Sequence, residues 1–299
     1  MNNQPFFSIV IPTLNEERYL PNLLQDLGEQ SFDLKKVEII HVDGDSEDGT
    51  VKNTQKFKKK LNLKTIKTKK QNVSWQRNLG AEKAKGEWVI FMDADNRLPN
   101  YFLDGIKYQL AKNQSTDIFT CWISPDGSSP TDIAIAKSLN LAMELYSQII
   151  NRHMTFGALI GVKKEITKII KFDEKQKIVE DSYFTREVID QGFHFQLFRQ
   201  PTYTFSLRRL RKEGTLKMAR SVSLMNLKFL QGKDFLNNDH GYVMKGGKYY
   251  EEKSASTIES LAVFLQKASQ HQLDFAKKVL RKINEELEGY QKINCAHKN

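Results

Sequence analysis

The sequence predicts an α/β fold, with a mostly parallel central sheet flanked by helices and a helical C-terminal extension. Three observations carry that expectation. Apolar runs of strand length alternate with helical periodicity through the first half of the 299-residue chain, as crossover-connected parallel strands require. The run Trp88-Val89-Ile90-Phe91-Met92 reads as a buried strand and ends in Asp93-Ala94-Asp95. Acidic turns also follow two earlier strands, at Asn15-Glu16 and at Asp43 to Asp48. Parallel strands bring such turns to one edge, where open sheets bind their ligands.

Taken in order, Phe6 to Ile11 is a first strand, running into Pro12-Thr13-Leu14-Asn15-Glu16-Glu17. Leu20, Leu23, Leu24 and Leu27 then recur at helical spacing, with Asn15 as the expected N-cap. The intervening loop has no glycine, so it is not a dinucleotide-binding turn. Val37 to Val42 is a second strand, followed by a Lys-rich helix over Val51 to Lys60 and a short strand at Leu63 to Ile66. Ser74 is the expected cap of a helix that Gly86 ends. After the central strand, Pro99 opens a helix through Leu110, and Asp117 to Ile123 forms a strand. Asp132 to Ile150 reads as a long helix, and Met154 to Val162 as an apolar segment broken by Gly157 and Gly161. Glu180-Asp181 starts a helix closed by Gly192, and Phe193 to Phe198 alternates as a strand. From Arg208 the chain turns basic and helix-prone, which places a boundary near residue 205.

The net charge of +10 implies an anionic partner, with the excess concentrated in Lys56–Lys70 and Arg208–Arg211. Two cysteines without metal-ligand spacing fit a reducing compartment. The N-terminal residues lack a signal-peptide pattern, and no run is long enough to span a membrane. The expected location is cytoplasmic, with peripheral contact at the inner face of a membrane left open.

Acidic side chains crowded at one edge repel unless a cation joins them. Oxygen-only ligands suit Mg²⁺ or Mn²⁺, which keep waters and bridge a diphosphate. Ser206-Leu207-Arg208-Arg209-Leu210-Arg211 offers Arg208, Arg209 and Arg211 to a diphosphate or a phosphorylated acceptor; a solvated basic helix start is the plainer alternative. Trp122, just before a Ser-Pro loop, is the best of the three tryptophans for stacking on a sugar, although tryptophans are more often core.

Four blocks carry a resemblance. Ser8 to Glu16, Val42 to Thr50, Arg77-Asn78-Leu79-Gly80 with Ala84 to Asp95, and Glu180-Asp181 with Arg186 and Gly192 resemble, in order and spacing, family 2 glycosyltransferases of the GT-A fold. The resemblance covers about residues 6 to 200. It implies a GT-A domain over 1–205 that binds a nucleotide sugar and transfers its hexosyl group with inversion. Residues 206–299 would then be a basic helical region on the acceptor side. By position, Pro12, Thr13, Asn15 and Glu16 would line the nucleoside pocket, and Asp43 would bond the base. Arg77 would lie near base or ribose, and Asp93 and Ala94 near the ribose. Asp95, with Asp93, would hold the Mn²⁺ or Mg²⁺. Asp181 would be the general base, supported by Glu180. A UDP-sugar is the first expectation and a GDP-sugar the second, with a glycan or lipid-linked acceptor of cell-envelope type.

The second acidic turn reads Asp-Gly-Asp where the family more often has Asp-Asp-Gly, so Asp45 has no assigned role. The Gln-x-x-Arg-Trp motif of processive synthases is absent, and no late histidine (His240, His271 or His297) is assigned to the metal. One competing class is a sugar-1-phosphate nucleotidyltransferase, for which the glycine- and arginine-rich phosphate loop is missing after the first strand. Another is a basic, non-enzymatic binder of anionic membrane or nucleic acid. Aromatics are not interleaved with the lysines and no nucleic-acid motif appears, so nucleic acid is not expected. A glycosyltransferase-like chain without activity is disfavoured by the intact Asp93, Asp95 and Asp181.

Overall fold

Short apolar runs bounded by turn residues pair into one seven-stranded sheet in the computed structural model, which describes residues 4–149, 157–176 and 179–213. The strands are β1 (Phe7–Thr13), β2 (Val37–Asp43), β3 (Leu63–Lys67), β4 (Trp88–Met92), β5 (Ile118–Pro125), β6 (Leu159–Lys163) and β7 (Phe195–Phe205). Their spatial order is β3-β2-β1-β4-β6-β5-β7. Neighbours pair in parallel except β6, which runs antiparallel to both β4 and β5. The mostly parallel α/β sheet is therefore the one the sequence predicts.

The helices are α1 (Leu20–Gly28), α2 (Thr50–Thr54), α3 (Val73–Lys83), α4 (Phe102–Lys112), α5 (Pro130–Ile149), α6 (Ile166–Ile169), α7 (Glu180–Asp190) and α8 (Arg208–Glu213). They cover both faces of the sheet, because its central strands are apolar on both. Phe7, Ile9 and Ile11 of β1 and Trp88, Ile90 and Met92 of β4 pack with the four leucines of α1 and with Phe102, Leu103 and Ile106 of α4. Val10, Val89 and Phe91 point the other way, toward Ala81 of α3 and Phe184 and Val188 of α7. Each fully buried leucine contributes roughly 1.5–3 kcal/mol. At β6 the packing needs a glycine, since a Cβ on Gly161 would lie 2.1 Å from Phe119 Cζ.

Several boundaries differ from expectation for local reasons. Helix α1 starts at Leu20 with Tyr19 before it, and Asn15 adopts φ 56 in the loop instead of capping. Asparagine tolerates that left-handed conformation. Asn72, not Ser74, caps α3, its side chain accepting from Trp75 N at 2.8 Å. The Lys-rich helix stops at Thr54 and continues only as a 3₁₀ turn, Gln55–Phe57. Residues 55–60 are mostly exposed, so little apolar burial supports a longer helix. Strand β7 continues past Phe198 to Phe205 because β5 pairs with it as far as Pro125 and Arg97 bonds Thr204. Met154, the helices expected after residue 213 and all three late histidines lie outside the described residues. Among those described, no helix is long and apolar enough to cross a membrane.

Candidate active site

Parallel pairing places Thr13, the last residue of β1, beside Asp43, the last of β2. Thr13 Oγ1 donates to Asp43 Oδ1 at 3.0 Å. Ser46 adds its backbone N–H at 2.9 Å and its hydroxyl at 2.6 Å to the same carboxylate. The Thr13 proton goes to Asp43, so His41 must supply the N–H in the 2.7 Å contact between its Nε2 and Thr13 Oγ1. Burial holds the His41 pKa well below its usual value and keeps the ring neutral.

The loops beyond these strand ends are stitched together. Asn15 N donates to Ser46 Oγ at 2.8 Å, and Glu47 N to Asn15 Oδ1 at 2.9 Å. Glu16 N reaches Thr50 Oγ1 at 2.8 Å, and Gly49 N reaches Glu17 Oε2 at 2.6 Å. From α3, Gln76 Nε2 donates to both Thr13 O and Val42 O at 2.8 Å. This wall is held by neutral donors and by fixed hydroxyl, amide, carbonyl and carboxylate acceptors.

The opposite wall is ionic. Arg77, on α3, is 1% exposed. Its Nη1 donates to Glu180 Oε1 at 2.9 Å, and its Nη2 to Gly157 O at 3.0 Å and Asp93 Oδ1 at 3.3 Å. Burial opposes the Arg77 charge, but Asp93, Glu180 and Asp181 outweigh it and raise its pKa. Gly157 N donates to Asp181 Oδ2 at 2.5 Å, and Ser182 N to Asp181 Oδ1 at 2.7 Å. Burial, then repulsion from Glu180, raises the Asp181 carboxyl against these bonds and Arg77. Asp93 is also raised by burial, although its side chain is 38% exposed and Arg77 pulls the other way. A Cβ on Gly157 would lie 2.8 Å from Arg77 Nη2 and 3.1 Å from Asp181 Oδ2, so the turn admits only glycine without displacement. Val179, at φ 52, turns the chain just before Glu180. That conformation is costly for a β-branched residue.

Arg208, at the start of α8, joins the walls. It forks onto Glu16 at 2.8 and 3.1 Å, reaches Asp95 Oδ2 through Nε at 3.0 Å, and lies 4.4 Å from the centre of the Tyr19 ring. Glu16 is buried, which pushes its carboxyl up to about 7 even though Arg208 pulls it down. The centre thus gathers Glu16, Asp93, Asp95, Glu180 and Asp181 around Arg77 and Arg208. The surplus of carboxylates suits a divalent cation. Among the described residues, however, no group of three or more His, Cys, Asp or Glu side chains is arranged as a metal cage. Two aspartates and a diphosphate would have to share it, as Mg²⁺ or Mn²⁺ allow.

Several sequence-predicted residues sit differently from expectation. Asp43 is 1% exposed and bonded on both oxygens, which suits a loop-shaping role. Arg77 is buried behind the carboxylates and presents no open face to a base or ribose. Pro12 and Ala94 are buried. Glu16 is engaged by Arg208. Trp122 donates to Glu144 at 3.1 Å and carries Arg199 over its ring at 5.6 Å, a cluster of its own instead of an open stacking platform. Arg209 is half-buried, and Arg211 lies beyond the compact unit that runs to Arg209. Sequence reasoning missed Ser46, Gln76 and Tyr19 as parts of the site. Only Gln76, next to Arg77, carried a signal: a polar residue that α3 turns inward.

Residues 8–134 match the model of glycosyl transferase family 2. The poly(ribitol-phosphate) beta-N-acetylglucosaminyltransferase TarS of Staphylococcus aureus is 26% identical over 68% of this chain, and the chain spans only 36% of that relative's length. A GalNAc(5)-diNAcBac-PP-undecaprenol beta-1,3-glucosyltransferase of Campylobacter jejuni is 24% identical over 83% of this chain and 81% of its own. Among solved structures, TarS 1–349 with UDP-GlcNAc superimposes with a TM-score of 0.56 at 24% identity, covering 67% of this chain and 58% of that one. The mannosyltransferase PcManGT of Pyrobaculum calidifontis, with GDP-Man and Mn²⁺, reaches 0.55 at 19% identity, covering 68% and 57%. These likenesses establish the fold, and with the matched family model they account for the order of the four sequence blocks. Over residues 8–134 the chain is related to glycosyl transferase family 2, and its relatives in these comparisons are glycosyltransferases.

Proposed function

We propose that the chain transfers a hexosyl group from a nucleoside-diphosphate sugar to a hydroxyl of a glycan or lipid-linked acceptor, with inversion. The observation that carries this reading is the convergence of Asp93, Asp95, Arg208 and Asp181 at the carboxyl edge of one sheet: Arg77 and Gly157 tie Asp93 to Asp181, and Arg208 pairs with Asp95. In the transfer, the bond from sugar C1 to the phosphate oxygen breaks as the acceptor oxygen bonds C1 from the other side. Asp181 takes the acceptor's proton. Burial and Glu180 raise the Asp181 pKa, which makes it a better base than an exposed aspartate, although the N-terminus of α7 favours the anion. Gly157 N and Ser182 N fix its orientation. Glu180, through Arg77, holds that wall in place.

Asp95 and Asp93 would hold Mn²⁺ or Mg²⁺, which supplies positive charge to the leaving diphosphate. Arg208 is the side chain best placed to add to it. Thr13, Asn15 and the loop shaped by Asp43 would seat the nucleoside. UDP is the first choice of nucleotide, since a TarS structure holds UDP-GlcNAc, and GDP the second, since PcManGT holds GDP-Man. The relatives' names give a poly(ribitol-phosphate) and an undecaprenol-linked acceptor, which supports a phosphate-bearing envelope glycan. We assign the catalytic domain to 1–205, with a basic region over 206–299.

A thermal-shift series of nucleoside diphosphates with and without Mn²⁺ tests this directly. UDP or GDP with Mn²⁺ should raise the melting temperature by mass action. No rise with any nucleotide would remove the donor site from this edge.

A further inference from the structure

Arg208 does something that a simple diphosphate ligand need not do. It occupies Asp95, one of the two carboxylates that the donor's cation would use. One guanidinium satisfies Glu16 with two bonds and Asp95 with a third, and it lies on Tyr19. The pairs are largely enclosed: the Arg208 side chain is 15% exposed, Glu16 12% and Asp95 16%. Enclosed ion pairs are weakly screened, so they resist replacement by a metal ion alone.

We propose that Arg208 is an exchangeable internal cation. It holds Asp95 until a divalent metal and a nucleoside diphosphate arrive together. The argument rests on the donor-site reading above and goes beyond it. A bare metal ion entering at Asp95 would displace the guanidinium from that carboxylate and cost it one of its enclosed ion pairs. A diphosphate removes the difficulty, because its oxygens offer the planar, bidentate acceptor that a guanidinium prefers. Asp95 then passes to the metal and Arg208 to the phosphates, while Glu16 stays within reach of the same side chain. Metal and nucleotide therefore bind with positive coupling, and each is weak alone.

The test is Mn²⁺ binding to the full chain, read by the electron paramagnetic resonance of free Mn²⁺, with and without UDP or GDP. In the wild type, nucleotide should tighten Mn²⁺ by roughly 5- to 150-fold, the usual range of coupling between two sites. Arg208→Gln should tighten Mn²⁺ in the absence of nucleotide and shrink that coupling. Equal affinity of Mn²⁺ alone for wild type and Arg208→Gln, within about twofold, overturns the proposal. Should Arg208→Gln fail to fold, Arg208→Lys takes its place. A point charge cannot fork onto Glu16 while reaching Asp95, so bare Mn²⁺ should again bind more tightly than in the wild type, and unchanged affinity again overturns the proposal. Asp95→Asn separates the two layers of argument. Loss of Mn²⁺ binding with nucleotide present supports the donor site, whatever Arg208 does. Retained binding removes that reading and the exchange with it.

Discussion

The two walls of the site are built from different physics. On the β1–β2 side, loops are joined by hydrogen bonds from backbone N–H groups, hydroxyls and an amide to fixed acceptors such as Asp43 and Asn15. On the β4–α7 side, a buried arginine holds carboxylates that burial and mutual repulsion drive toward protonation. The first construction suits recognition of a neutral base and ribose, where shape matters and charge does not change. The second suits chemistry in which charge and protons move. Neutral bonds can be lost one at a time, whereas removing one charge from a buried network leaves others unpaired.

That contrast sets the expected ranking of variants. Asp181→Asn should lower donor turnover by roughly 10²–10⁴. It should leave nucleotide affinity near wild type, because the loss falls on one wall only. Steady-state release of nucleoside diphosphate, beside nucleotide titration, checks both; a mainly weakened nucleotide would move Asp181 out of the catalytic role.

Arg77→Met should cost about 3–5 kcal/mol, since Glu180 and Asp93 lose their buried partner. A urea midpoint that barely shifts would show that the network is not what holds this wall. Gly157→Ala should cost roughly 1–3 kcal/mol, because the new methyl meets Arg77 Nη2 and Asp181 Oδ2. It should also lower turnover by misplacing Asp181. Ser46→Ala should cost about 1 kcal/mol and raise KM for the donor while leaving kcat unchanged. A fall in kcat would mean that the walls are mechanically coupled.

The pH dependence should be gentler and belongs to the ionic side and its link to Glu16. Glu16 rises from 4.5 unfolded to about 7 folded through burial, so between those values the folded state holds more protons than the unfolded one. Stability then falls as pH rises from about 4.5 to 7. Denaturant midpoints measured across that window check the sign, and Glu16→Gln should flatten the slope. Turnover moves the other way, because Asp181 must be ionised to accept a proton and its pKa is raised.

The legible parts of the molecule were those written in local pattern. Apolar runs marked the strands, leucine spacing marked α1, and the carboxylates at strand ends pointed to an edge site. Asp93 and Asp95 are singled out by residue type and position at a strand end, and Glu180 and Asp181 by the resemblance of their segment to the family's. The Asn15 turn and the reach of β7 were misread because each depends on a partner far along the chain, whereas Asn72 and Ser74 were rival local caps and Asn72 is the one that bonds Trp75 N. Asn15 gives up capping to bond Glu47, and β7 extends because β5 and Arg97 accept it.

By itself the sequence determined the parallel α/β sheet, its helices and the set of charged residues delivered to its edge, because period and composition act over a few residues at a time. The tertiary structure decided what those residues do to one another. Arg77 became the buried tie of one wall, Asp43 the anchor of the other, and Arg208 the cation between them. The reason is physical. Burial and the distance between charges are set by which segments pack together, and residues more than a hundred positions apart, such as Arg77 and Glu180, leave no mark of that pairing in their own neighbourhoods.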